Sequence, residues 1–126
     1  MQPSIPEFLK DLQPGWRVVE AKVFCLDNDQ PPFGISYDDL LKDLIVVHSD
    51  DLDIALEIDW LPERSPVGQF TLSAIDFSEP DRLADSYAKP LRTLTTRSLR
   101  HVIHEMRTWM LEFATNKKCV QQPDKR

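Results

Sequence analysis

Two arrangements of apolar residues organise the chain, one with period two and one with helical period. The clearest alternation is Asp53-Ile54-Ala55-Leu56-Glu57-Ile58-Asp59-Trp60. Ile54, Leu56, Ile58 and Trp60 fall on one side, and Asp53, Ala55, Glu57 and Asp59 on the other. That pattern predicts a strand in an antiparallel sheet with one wet face. Phe70 to Phe77 reads as its hairpin partner, across a connection at Leu61 to Gln69 that holds Pro62, Pro66 and Gly68. Trp16 to Leu26 is a further strand, with Val19, Ala21, Val23 and Cys25 on one face and Val18, Glu20, Lys22 and Phe24 on the other. Leu44 to His48 is a short β-branched run, and Leu91 to Thr95 is an edge strand.

The helical period is strongest at the C-terminal end. Leu99, Val102, Ile103, Met106, Trp109, Met110 and Phe113 recur at three- and four-residue spacing and fill one arc of a helix. Thr96 is the expected N-cap and Asn116 the expected stop, followed by a frayed basic tail over 117–126. Two shorter helices are expected. One follows the capping box Ser4-Ile5-Pro6-Glu7 and ends at Pro14-Gly15. The other follows Ser36 and ends near Asp43, after a loop at Asp27 to Gly34. Ser78 to Pro90 is polar and reads as a long loop with a helical turn.

Together these elements predict an α+β fold. An antiparallel sheet of four or five strands carries a long C-terminal amphipathic helix on one face. The expected core sets Val19, Val23, Ile54, Leu56, Ile58, Phe70 and Leu72 against Leu99, Val102, Ile103, Met106, Met110 and Phe113. At 126 residues the chain is one domain, with 41% apolar and 29% charged residues, a globular composition. There is no run of 18 apolar residues to cross a membrane. Met1 to Glu7 has neither a basic nor an apolar leader region, so no signal peptide is expected. With two cysteines, Cys25 and Cys119, the expectation is free thiols in a reducing cytoplasm.

Charge changes the picture. Residues 27–85 hold fifteen acids and three bases, whereas residues 89–126 hold nine bases and three acids. The total is −6. A chain so acidic does not suit nucleic acid as its partner. It suits a cationic protein met by electrostatic steering. The densest acidic feature is Asp50, Asp51, Asp53, Glu57 and Asp59, and it reads as a docking surface with Trp60 as a possible aromatic anchor.

Other chemistry is sparse. His101-Val102-Ile103-His104-Glu105 matches neither the HExxH nor the HxxEH order of metalloproteases. His101, His104 and Glu105 still leave a metal-binding or enzymatic domain as an alternative. Arg97, Arg100, His101, His104 and Arg107 mark a basic ridge that a structural or adaptor subunit could use. There is no phosphate-cradling loop and no nucleophile elbow. No catalytic residue, metal site or cofactor is expected.

The acid-rich strand 53–60, the polar connection Leu61-Pro62-Glu63-Arg64-Ser65-Pro66 and the closing helix give the chain a family likeness. It resembles the small, acidic, single-domain immunity proteins of bacterial toxin systems. The resemblance implies binding to a cognate toxin, often a basic nuclease, with acidic residues standing in for the phosphates of the toxin's substrate.

Overall fold

The computed structural model describes residues 15–21 and 41–120. Five strands form one antiparallel sheet in chain order: β1 (Trp16–Ala21), β2 (Ile45–Ser49), β3 (Ile54–Leu61), β4 (Gln69–Asp76) and β5 (Arg92–Thr96). A short 3-10 turn (Pro80–Arg82) and helix α1 (Leu83–Ala88) lie between β4 and β5, and helix α2 (Leu99–Val120) closes the fold. The expected α+β architecture is what forms. Among the described residues no helix is long and apolar enough to cross a membrane.

The register explains which residues meet. Ile45 pairs with Ile58, which pairs with Leu72, which pairs with Leu94. Val47, Leu56 and Ala74 form a second row, and Trp60 pairs with Phe70 in a third. Side chains alternate across a strand, so these rows share one face. The apolar arc of α2 lies over them, and Val102, Ile103, Met106, Trp109 and Met110 are buried in the same cluster. Burying a side chain such as Ile58 contributes roughly 1.5–3 kcal/mol. Arg92 completes the edge of this layer, with its guanidinium 5.0 Å from the Trp109 ring and 5.2 Å from Phe113.

Three expectations need correction. First, β1 does not keep a simple alternation. Its pairing shifts between Val18 and Glu20, so Val19 is an extra residue in a bulge and is 53% exposed. A bulge adds one unpaired residue and swaps the faces beyond it. Trp16, Val18 and Ala21 therefore meet the core instead of Val19. Val23, the capping-box helix, the loop at 27–34 and the strand beyond Ala21 lie outside the described residues, as does the expected helix up to residue 40.

Second, α2 is capped by Ser98 rather than Thr96. The Ser98 hydroxyl accepts the His101 N–H at 3.1 Å. Thr96 is still paired with Phe70 in β5, and its hydroxyl accepts the Ser98 N–H at 3.1 Å. Nor does Asn116 end the helix, which runs to Val120. Asparagine is only a mild helix breaker, and no glycine or proline follows it at once.

Third, the outer face of β3 is not uniformly wet. The β4–β5 connection folds back over it, and Ala55 and Glu57 are buried. This connection is the polar stretch 78–90, whose helical turn is α1.

Candidate functional site

The outer face of the sheet carries a cluster of carboxylates where β2, β3 and α1 converge. Glu57 and Asp59 leave β3 on the side opposite the core rows. Asp43 arrives from the segment just before β2. The chain there takes a positive φ of 53° at Asp43. Asparagine and aspartate tolerate that left-handed conformation better than most residues. The turn is held by two bonds to β3: Leu44 N–H donates to Ile58 O at 2.8 Å, and Trp60 N–H donates to Leu41 O at 2.9 Å. It brings the Asp43 N–H to Asp59 Oδ1 at 2.6 Å. Next to it, the Lys42 N–H donates to Glu63 Oε2 at 3.0 Å.

From the other side, α1 delivers Tyr87. Its hydroxyl donates to Glu57 Oε2 at 2.7 Å. Phe77, at the start of the same connection, packs beside it with ring centroids 6.2 Å apart. Phe77 also lies 5.3 Å from the His48 ring on β2. The Phe77 N–H donates to Asp53 O at 2.7 Å, which fixes the start of the connection to the sheet.

The electrostatics follow from burial. Burial pushes the Glu57 carboxyl above its usual range, the Tyr87 hydrogen bond opposes the shift, and Asp43 and Asp59 add to it. Asp59 is likewise raised, first by burial and then by Asp43, while the Asp43 N–H and Lys42 pull it back. Burial and the neighbouring Glu57 raise the Tyr87 hydroxyl.

Two recesses open on this face, of about 290 and about 410 Å³. Asp43, Glu57 and Tyr87 line both. The smaller one also touches Val46, His48, Ala55 and Phe77, and the larger one Lys42, Asp59 and Ile75.

The acidic residues expected from sequence thus divide into two groups. Glu57 and Asp59 belong to the recesses. Asp50, Asp51 and Asp53 are exposed at the β2–β3 turn, toward the opposite end of β3. Asp50 is already paired, accepting from Arg17 Nε at 3.0 Å and Nη2 at 3.2 Å, and Arg17 holds its carboxyl below the usual range. Asp53 sits in the turn with φ 55°, one residue before β3 begins. Trp60 is not a surface anchor, for its side chain is fully buried. Its indole N–H donates to Ser65 O at 2.8 Å, and its ring meets Phe70 edge-on at 5.1 Å. An aromatic at the end of an alternating strand can serve core or surface equally, and the hairpin register assigns it to the core.

The other candidates separate in the same way. Arg97 lies ahead of α2, where its guanidinium stacks 5.6 Å from the Trp60 ring and donates to the carbonyls of Gly68 and Pro66. It clamps the β3–β4 connection and does not join a helical ridge. His101 Nε2 is 3.9 Å from Glu105 Oε2, an i,i+4 pair, and His101 and His104 are exposed. Among the described residues no group of three His, Cys, Asp or Glu side chains is set to hold a metal ion.

Asp43, His48, Phe77 and Tyr87 are site residues that the sequence pattern does not single out. Tyr87 is the one whose signal was readable, as the only aromatic in the polar stretch 78–90. Comparison with protein-family models, with curated proteins and with solved structures returned no match.

Proposed function

We propose that this chain is a non-catalytic binding protein of the cytoplasm that takes a basic protein onto the acidic outer face of its sheet. This is the role expected of an immunity protein. The observation that carries the reading is the set of three carboxylates, Asp43, Glu57 and Asp59, drawn together on a partly buried face. Burial and mutual repulsion raise two of them. A cation brought from outside relieves that repulsion, and a basic surface is steered to it. Asp51 and Asp53 extend the negative field along the β2–β3 turn, where Asp50 is already paired with Arg17.

The test is purification of the tagged protein from its native cells at low and high salt, beside an Asp43→Asn/Asp59→Asn variant. Asparagine at 59 keeps an oxygen for the Asp43 N–H, so the local fold is preserved. The expected result is a basic protein retained at low salt, weakened at high salt and lost with the variant. A partner held equally by both forms at either salt would overturn the reading.

A further inference from the structure

We propose that the smaller recess is a pocket for a single arginine side chain of the basic partner. The inference rests on the acidic-face reading and gives that face a specific point of entry.

Size is the first argument. At about 290 Å³ the recess lies at the lower end of the range of ligand pockets, about 300–1,000 Å³. It has room for one long side chain and not for a large cofactor. Charge is the second. Glu20, Asp43 and Glu57 line it, and no lysine or arginine is among its described lining residues. The larger recess, by contrast, already holds Lys42.

Shape and polarity choose between the two long cations. Val46 and Ala55 give the recess apolar wall, and the rings of His48, Phe77 and Tyr87 stand around it. A guanidinium is planar, weakly hydrated and stacks on rings, whereas an ammonium is compact and strongly hydrated. The Glu57 carboxylate is held in place through Oε2 by the Tyr87 hydroxyl. Its orientation is thus set before a ligand arrives, which lowers the cost of pairing with a guanidinium.

His48 is held in the wall of the recess through Nδ1, which lies 3.3 Å from Arg17 Nη2 and 3.5 Å from Asp50 Oδ1.

The experiment is an amide NMR titration of the full chain with the capped tripeptide Gly-Arg-Gly, and with its lysine and citrulline counterparts. The arginine peptide is expected to shift Val46, Ala55, Glu57 and Tyr87 saturably. The lysine peptide should bind several-fold more weakly, and the neutral citrulline peptide should not bind. Glu57→Gln should weaken the arginine peptide about tenfold, as expected for losing one charge-assisted pair. Asp43→Asn, on the exposed rim, is the second variant and should weaken it by a smaller factor. The pocket is excluded by equal binding of the arginine and lysine peptides, by shifts centred on Asp50 to Asp53, by the absence of saturable shifts, or by wild-type affinity in both variants. If the pocket fails while salt-sensitive partner capture persists, the acidic face stands without it. If arginine-selective binding appears with no salt-sensitive partner, the pocket stands and the broader reading falls.

Discussion

Tyr87 and Glu57, thirty residues apart, are joined by a hydrogen bond of 2.7 Å that fastens helix α1 to the outer face of the sheet. None of the residues of α1 is buried, so this bond and the ring contact with Phe77 hold the helix in place. Tyr87→Phe keeps the ring and removes the donor. Because Tyr87 is half exposed, the expected loss is at the low end for a bond to a charged group, about 1–2 kcal/mol. Urea unfolding measures it. Amide exchange over 83–88 should quicken more than exchange in β3, which would place the loss at α1.

Glu57 makes stability depend on pH in the direction opposite to a paired carboxylate. Its folded-state pKa is raised, so the folded chain binds the proton more tightly than the unfolded chain. Stability is therefore greatest below the ordinary glutamate range and falls as pH rises through the raised value. Asp59 acts with the same sign. Glu57→Gln should melt higher than wild type at neutral pH, and the difference should vanish near pH ~3, where the wild-type side chain is protonated in both states. Thermal melts across that interval decide it; a variant less stable than wild type at neutral pH would contradict the sign.

Gly68 is pressed against the Trp60 indole. A β-carbon there would lie 2.6 Å from Nε1 and 2.9 Å from Cε2, atoms of a rigid, buried ring. Gly68→Ala must displace the ring or the connection. Its expected cost is about 1–3 kcal/mol, the usual range for overpacking. Tryptophan fluorescence during thermal unfolding gives the cost and shows whether the ring has moved.

Ser98 caps α2, and Thr96 supports it from the end of β5. Ser98→Ala should destabilise the protein by about 0.5–2 kcal/mol, while Thr96→Ala should cost less because it leaves the cap in place. Equal losses in denaturant titrations would assign the cap to both residues.

Much of the architecture was readable because each element carries its own period. Ile54 to Trp60 could bury one face only as a strand, and Leu99 to Phe113 could do so only as a helix. The exceptions share a cause, since each depends on a contact distant in sequence. Val19 is exposed because of how β1 pairs with β2, and no local pattern marks a bulge. Trp60 is buried because Phe70 lies across from it, with Gly68 and Arg97 against its ring. The site was half readable. Glu57 and Asp59 stand out as acids on an alternating strand, but their partners come from a turn with positive φ and from a helix of six residues without apolar periodicity. Asp50 stands out equally, yet a surface arginine has already engaged it.

The sheet lies between an acidic outer face and a helix whose described charges balance. Asp43, Glu57 and Asp59 lie on the outer face, whereas over residues 99–115 the formal charges of Arg100 and Arg107 on α2 are cancelled by those of Glu105 and Glu112. The molecule therefore carries an electric moment across the sheet as well as a net charge. A moment exerts a torque. A cationic body drawing near turns the outer face toward itself, and an anionic one turns that face away. The screening distance is about 8 Å at physiological salt, so this turning is confined to the last steps of an encounter. Approach then becomes a selection among orientations, made before any side chain has touched.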